Sequence, residues 1–288
     1  MKRFGIKINI TKKSSAEFLM LLVKLTTDLG VELFCDDKLV TEINPEISFL
    51  NTSEFYENIE VLLSLGGDGT MLWSVHSIAG RDIPVLGVNI GSLGFLTSVA
   101  GEDLNQALEA LVNGDFIIQE IALGAVEVLR GEEIISTYQC LNEIVVSRGD
   151  STRVVNLSLG IDNDEGMEYL CDGLIVSMPS GSTGHSLSAG GPIVHPQADV
   201  VLITQICPHT LSARPLIIPS SKTVKVFVKQ ASKTTLLSID GQAGVPLLEN
   251  DTVIVKKSHN GAKIVRLKSY NYYELLRKKL KWSGSNLV

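Results

Sequence analysis

The sequence lacks the features that define several large protein classes. Its 288 residues include only 4 cysteines and no C-x-x-C pair, which predicts reduced, packed thiols rather than a disulfide framework or a zinc site. Its apolar runs are all far shorter than the roughly 20 residues that span a bilayer, so no membrane protein is expected. Positive charge is scarce, and a net charge of −7 argues against binding nucleic acid by general phosphate attraction.

Several motifs of catalysis and nucleotide binding are also missing. The sequence contains no G-x-x-x-x-G-K-[ST] phosphate loop. Gly87, Gly91 and Gly94 do not have the G-x-G-x-x-G spacing, which disfavours a hydride-transferring Rossmann enzyme. Neither H-E-x-x-H nor clustered His and Cys ligands occur, and the Ser-His-Asp order of acyl-transfer enzymes is absent. We therefore expect no metal site built by the protein alone.

The remaining composition is that of an ordinary globular protein. Hydrophobic residues make up 44% and charged residues 20%, and the length predicts one large or two moderate domains. Lys7 interrupts the apolar N-terminal segment, so a secretion signal is not indicated and a cytoplasmic location is expected.

The character of the chain changes near residue 100. Residues 1–100 alternate between strand-like and helix-like stretches, which predicts an α/β domain that binds phosphate or nucleotide. Residues 101–268 open with a helix and continue in β-type runs, which predicts an all-β domain. Residues 269–288 have helical spacing of apolar side chains, which predicts a closing helix that returns to the first domain.

The main predicted elements of the first domain are a strand at Phe4–Ile10, a helix opened by the capping box Ser14-x-x-Glu17, a strand at Ile59–Leu65, a helix at Met71–Ala79 and a strand at Ile83–Asn89.

The strongest local feature is the turn Gly66-Gly67-Asp68-Gly69-Thr70, which follows an apolar strand. Glycines let the backbone approach a ligand closely, and the N-terminus of the next helix favours anions. A carboxylate in such a loop is unfavourable unless it has a task, and accepting a proton from a hydroxyl that attacks a phosphoryl group is a suitable one. The alternative is a tight turn in which Asp68 is a helix N-cap.

Two more polar segments are candidate ligand contacts. Asn142-Glu143 interrupts a β-rich run, where the two side chains could bind the hydroxyls of a sugar or form a strand-edge pair. The Gly- and Ser-rich segment 179–192 could bond a base, ribose or phosphate, or could be a surface loop, and a lone histidine within it is more often structural. Weak signals, each more often a turn or surface residue, are Arg153, Asp172 and the Asp240-Gly241-Gln242 turn.

Taken in order, these segments resemble the NAD kinases, which convert NAD to NADP. The resemblance rests on GGDGT, IPVLGVNIGSLGFLT, the NE pair of CLNEIVVSRG, DGLIVSMPSGST, SLSAGGPIVHP, ICPHTLSARPLIIP and DGQ, which extend from Leu65 to Gln242. GGDGT alone is shared with diacylglycerol-type lipid kinases, whereas the ordered set is specific. The chain departs from the family pattern G-S-T-A-Y at Gly184 and His185, which leaves the contacts to a bound ring open.

The resemblance implies a Rossmann-like N-terminal α/β domain, a sandwich-like β domain and a C-terminal helix. It implies transfer of the γ-phosphoryl group of ATP, bound with Mg²⁺ or another divalent cation, to the 2′-hydroxyl of the adenosine ribose of NAD. Asp68 would be the general base, the glycine turn the phosphate cradle, and Asn142 with Glu143 the ribose contact. It also implies a homodimer or homotetramer, and leaves open ATP or polyphosphate as donor and NAD or NADH as acceptor. The other NAD contacts implied are Arg153, Asp172, Thr183, Gly184, His185, Ser186, Leu187, Ser188 and Gln242.

Three alternative functions share part of this pattern. A lipid kinase would share GGDGT, but the only basic membrane-docking candidate is the short Lys278–Lys281 stretch. A non-catalytic NAD sensor would have no reason to place Asp68 in the phosphate loop. A phosphatase running the reverse reaction would need a group that positions water, and none is evident.

Overall fold

The computed structural model describes residues 1–10, 14–78, 80–91, 94–242 and 244–282. Two compact units divide the chain: the first contains residues 1–120 together with the chain from residue 262 onward, and the second contains residues 121–261. This division differs from the predicted boundary at residues 100 and 101. The reason is that two strands predicted for the second domain pair with the sheet of the first unit.

The first unit is built on an eight-stranded sheet. Its main part has the order β3-β2-β1-β4-β5-β20-β7, with β6 beside β5, and the pairings from β3 to β20 are parallel. In chain order the strands are β1 (Arg3–Ile8), β2 (Glu32–Cys35), β3 (Ser48–Phe49), β4 (Val61–Gly66), β5 (Val85–Asn89), β6 (Val99–Ala100), β7 (Phe116–Ile121) and β20 (Ala262–Leu267).

Six helices of the described residues accompany this sheet. They are α1 (Ser15–Asp28), α2 (Lys38–Ile43), α3 (Thr52–Asn58), α4 (Asp68–Ile78), α5 (Leu104–Asn113) and α7 (Tyr272–Leu280). The predicted capping box does not form, because Ser14 makes no side-chain cap hydrogen bond; the Ser15 hydroxyl instead donates to the Asn9 carbonyl at 2.7 Å. Two predicted helical ends, Ala79 and residues 283–288, lie outside the described residues. None of the described helices has the length and apolarity needed to cross a bilayer.

The strand order fixes where a ligand can bind in this sheet. From β1 the chain moves one way to β2 and β3, whereas β4 and β5 lie on the other side of β1. In open parallel sheets, ligands bind outside the carboxyl ends of the strands at such a reversal of order. All six residues of β4 are buried, as expected for a strand inside a parallel sheet. Gly66 ends β4, so the glycine turn lies at the reversal point.

The second unit consists of two six-stranded antiparallel sheets that form a β-sandwich. Their orders are β15-β14-β13-β10-β17-β18 and β12-β11-β16-β19-β8-β9. Buried side chains from both sheets, such as Val126 on one and Val146 on the other, share one hydrophobic core. The strands are β8 (Gly124–Arg130), β9 (Glu133–Cys140), β10 (Glu143–Ser147), β11 (Val155–Ile161), β12 (Asp164–Cys171), β13 (Gly173–Ser177), β14 (Val200–Ile206), β15 (Leu216–Pro219), β16 (Val224–Gln230), β17 (Leu236–Ile239), β18 (Val245–Pro246) and β19 (Asp251–Lys257), with a 3-10 turn at Pro179–Thr183 and a short helix α6 at His185–Ser188.

The four cysteines are free thiols. Cys35, Cys140 and Cys171 are buried, and burial raises the pKa of Cys35 and of Cys171 to about 11. These thiols are therefore protonated and packed at neutral pH. Cys207 is exposed.

Candidate active site

The glycine turn leaves an open space above its backbone. A Cβ atom at Gly66 would overlap the side chain of Thr70, so glycine is required there by local packing. At Gly67 and Gly69 a Cβ atom would meet nothing within 4 Å. The fold itself therefore does not require glycine at these two positions, and the free space suits the close approach of a phosphate to backbone N–H groups.

Asp68, the first residue of α4, is held by a loop 27 to 29 residues further along the chain. The backbone N–H of Phe95 donates to Oδ2 at 2.9 Å, and those of Leu96 and Thr97 donate to Oδ1 at 3.0 and 3.4 Å. Two carboxylate oxygens offer about four acceptor positions. The carboxylate is thus fixed in place and keeps capacity to accept a further hydrogen bond, in contrast to the N-cap alternative left open by the sequence.

The loop that holds Asp68 is stabilised by hydrogen bonds to the hydroxyl of Thr97. The Thr97 hydroxyl accepts the backbone N–H of Gly94 at 3.0 Å and the Nδ2 of buried Asn89 at 3.3 Å. A Cβ atom at Gly94 would overlap the Asp68 carboxylate. Residues 94–97 therefore hold Asp68 in place, and the predicted site residues did not include them; the available signal was a pair of glycines, Gly91 and Gly94, that follow a buried strand.

A cavity of about 840 Å³ lies in the same unit and is lined partly by Asn89, Thr97 and Tyr270. Four carboxylates, those of Glu17, Glu102, Asp103 and Glu274, line it with one lysine, Lys278, which pairs with Glu274 at 2.9 Å. Among the described residues, the lining of this cavity therefore carries net negative charge, which disfavours a bare anion.

In the second unit, Asp240 binds the backbone of Asn142 and Glu143, which lie where β9 ends and β10 begins. Its Oδ2 accepts the backbone N–H of Leu141 at 2.7 Å, and its Oδ1 accepts those of Asn142 and Glu143 at 2.8 and 2.9 Å. Asp240 adopts a left-handed conformation with φ of 49°. A carboxylate residue tolerates this conformation better than most others, and here it caps three consecutive N–H groups.

Asn142 and Glu143 each have a buried oxygen that lacks a protein partner. In the described part of the chain, neither Asn142 Oδ1 nor Glu143 Oε2 accepts a hydrogen bond. A buried polar atom without a partner is costly and calls for an explanation such as a ligand. A Cβ atom at Gly181 would lie 2.6 Å from Glu143 Oε2, so the 3-10 turn at 179–183 approaches this oxygen closely.

Burial also changes the acidity of Glu143, whose side chain is 7% exposed. Desolvation, and then the negative charge of Asp240, raise the pKa of Glu143 from 4.5 to about 7. Glu143 is therefore partly protonated at neutral pH and can either accept or donate a hydrogen bond.

This acidity predicts how stability depends on pH. Between about pH 4.5 and 7 the native state holds a proton on Glu143 that the unfolded state has lost, so this residue lowers the free energy of unfolding as pH rises, by up to about 3 kcal/mol. Urea unfolding of the wild type and of Glu143→Gln from pH 5 to 8 measures this pH dependence of the free energy of unfolding. The stability advantage of Glu143→Gln should grow with pH and level off above pH 7, and a constant difference would contradict the assignment.

The predicted base-recognition segment 183–188 lies beside Glu143. A Cβ atom at Gly184 would be 3.5 Å from Glu143 Oε2. Thr183 is half-buried, and Ser186 is fully buried, with its hydroxyl bonded to Thr204 Oγ1 at 2.8 Å. Ser186 therefore supports the segment from inside. Leu187 is half-buried, and the exposed members are Gly184, His185 and Ser188.

The other predicted contacts lie elsewhere in the second unit. In the β10–β13 pairing, Glu143 lies opposite Ser177 at one end and Ser147 opposite Gly173 at the other. Asp172 precedes Gly173, so it lies five residues, or about 16.5 Å at some 3.3 Å per residue, along the sheet from Glu143. There Asp172 pairs with Arg148, at 2.9 Å, an arginine that the sequence analysis did not single out. Arg153, on the loop after β10, and Gln242, after Asp240, are exposed.

The described residues contain no group of three or more His, Cys, Asp or Glu side chains that could hold a metal ion. The residues around Asp68 thus do not fit a dedicated protein metal site.

Solved structures share this fold. A yeast NADH kinase, determined in complex with NADH, matches with a TM-score of 0.91 at 24% identity and covers 100% of this chain and 89% of that chain. An NAD kinase from Archaeoglobus fulgidus, in complex with ATP, matches with a TM-score of 0.75 at 23% identity and covers 99% of this chain and 100% of that chain. The fold is therefore that of the NAD(H) kinase class.

Sequence comparison identifies the family. Residues 8–116 match the ATP-NAD kinase N-terminal domain, and residues 141–267 match the C-terminal domain. An NAD kinase of Geobacter sulfurreducens is 42% identical over 230 residues, which cover 78% of this chain and 81% of that protein. One of Solibacter usitatus is 33% identical over 282 residues, or 98% of each. The chain belongs to the NAD kinase family, which confirms the resemblance found in the sequence.

Proposed function

We propose that the protein is an ATP-dependent NAD kinase. The 2′-hydroxyl oxygen of the adenosine ribose of NAD attacks the γ-phosphorus of ATP, the bond from that phosphorus to the β–γ bridging oxygen breaks, and NADP and ADP leave. The observation that best supports this proposal is the Asp68 carboxylate, fixed by three N–H groups beside an open glycine turn. Such a group can take the proton that the attacking hydroxyl loses.

The remaining roles follow from the placement of each group. The N–H groups of Gly67 and Gly69 stabilise charge on the phosphoryl groups. The unpartnered oxygens of Asn142 and Glu143 accept hydrogen bonds from ribose hydroxyls. The segment 183–188 binds the adenine ring, and the roles proposed for Arg153, Asp172 and Gln242 are further contacts to NAD.

The setting of the reaction is also part of the proposal. Mg²⁺, or another divalent cation, arrives with ATP and neutralises charge on the phosphates. The enzyme is cytoplasmic, functions as a homodimer or homotetramer, and requires neither nucleic acid nor a membrane.

A coupled assay of NADP formation from NAD, ATP and Mg²⁺ tests the function. We expect NADP to form at a rate proportional to enzyme, and parallel reactions with polyphosphate and with NADH define the donor and the acceptor. If NAD binds in calorimetry but no NADP forms, the protein is a sensor and the proposal is wrong. If neither nucleotide binds, a lipid substrate becomes the next candidate.

A further inference from the structure

Arg266 is a buried cation on β20, with only 4% of its surface exposed. Its Nε donates to Gln119 Oε1 at 2.9 Å and its Nη1 donates to the Leu96 carbonyl at 3.1 Å. Its guanidinium also lies 4.3 Å from the centre of the Tyr270 ring. Both hydrogen-bond acceptors are neutral, and burying a charge costs stability. A function other than stability would explain its presence.

The negative charge of Asp68 offsets part of the cost of burying the Arg266 cation. Burial lowers the pKa of Arg266, and the electrostatic influence of Tyr270 and then of Asp68 opposes that effect. Burial raises the pKa of Tyr270, so its hydroxyl is neutral at pH 7. The negative charge that acts on Arg266 is therefore that of Asp68. Arg266 and Asp68 are thus linked electrostatically within the first unit.

The two residues are also linked through one peptide group. The carbonyl of Leu96 and the N–H of Thr97 belong to the same planar trans peptide and point in opposite directions. Arg266 binds the oxygen on one side, and the N–H on the other side points at Asp68 Oδ1, 3.4 Å away. The N–H of Leu96 itself donates to the same oxygen. Rotation of this peptide would break both contacts at once.

We propose that Arg266 is a positioning residue for the phosphoryl transfer: it fixes the Leu96–Thr97 peptide so that the 95–97 amides hold Asp68 where the proton is accepted. This role rests on the proposed function. Arg266 acts through the loop and not on the substrate, so its loss should lower kcat more than it changes KM for NAD.

The test compares Arg266→Met, Arg266→Lys and a control, Arg130→Met, in the full chain. Arg130 also donates through two guanidinium nitrogens, in its case both to Asp251 at 2.9 and 2.8 Å, and it belongs to the sandwich. We expect Arg266→Met to lower kcat about 10- to 100-fold, the scale of a small misplacement of a reacting group. Arg266→Lys should recover part of the loss because it keeps the charge and one donor. Arg130→Met should keep kcat within about twofold.

Hydrogen exchange of the backbone amides of residues 95–97 provides a second readout. Exchange should accelerate in both Arg266 variants and stay unchanged in Arg130→Met, since only the former loosen this loop. Folded Arg266 variants with wild-type kcat and unchanged exchange would overturn the proposal; if Arg266→Met does not fold, Arg266→Lys decides it. If the wild type forms no NADP, the proposed function fails, yet the exchange data still decide whether Arg266 holds the loop.

Discussion

Asp68→Asn is expected to lower kcat by roughly 10²- to 10⁴-fold, the usual effect of removing a general base. The amide accepts hydrogen bonds at one oxygen only, so one of the N–H groups of Phe95 and Leu96 loses its partner. That loss costs about 1–3 kcal/mol of stability, which leaves the protein folded. Steady-state kinetics of NADP formation, with thermal unfolding of the same samples, measures both effects.

Asp37→Asn is the matched control for this variant. Asp37 is also an acidic residue at a helix N-terminus of the first unit, where its Oδ1 accepts the N–H of Leu39 at 3.0 Å. The same substitution there should affect only the capping of a short helix, with kcat unchanged. Near-normal turnover by Asp68→Asn would refute the assignment of the base, even if NADP formation by the wild type stands.

Gly94→Ala should produce the other large effect, a loss of about 10²-fold in kcat. A methyl group at this position would overlap the carboxylate of Asp68, so that the side chain must move away from the 95–97 amides. A shift of about 1 Å in a reacting group is enough for a loss of this size. The NAD contacts proposed for the sandwich are not altered by this substitution, so calorimetry should show NAD binding close to that of the wild type.

Gly91→Ala controls for a glycine lost from the same loop. Its added methyl group would lie 3.7 Å from Asn89 Oδ1, an ordinary contact, and activity should fall little. Equal losses in the two variants would indicate that the loop tolerates no side chain at all, and would argue against a specific clash with Asp68.

Local pattern was sufficient to predict the centre of the first unit. The buried strand before the glycine turn and the helix after it are present as β4 and α4, because continuous apolar residues, glycines and helical periodicity are short-range signals. The placement of β20 was not predictable in this way. Its apolar pattern indicates a strand, but its pairing with β5, through Ile264 and Val85, joins residues far apart in the sequence.

For the candidate site residues too, short-range features were predictable from the sequence and long-range contacts were not. Asp68, Asn142 and Glu143 stand out in the sequence because each is a polar group at the end of an apolar run. Their supports do not stand out: Asp240 resembles an ordinary turn residue, and the amides of residues 95–97 are backbone groups that no side-chain motif reveals. The β-type run from Ile134 to Ser147 is interrupted in the structure at Leu141 and Asn142, where Asp240 binds the backbone.

The position of β20 has a consequence for synthesis of the protein. Its residues follow the sandwich in the sequence, so a ribosome must translate residues 121–261 before the strand beside β5 exists. At about 5–20 residues per second this delay is on the order of 10 s. During that time β6 can pair with only part of the edge of β5, and the rest of that edge is open to wrong pairing. Arg266 emerges with β20, so the loop that holds Asp68 can gain this contact only after residues 121–261 have been translated.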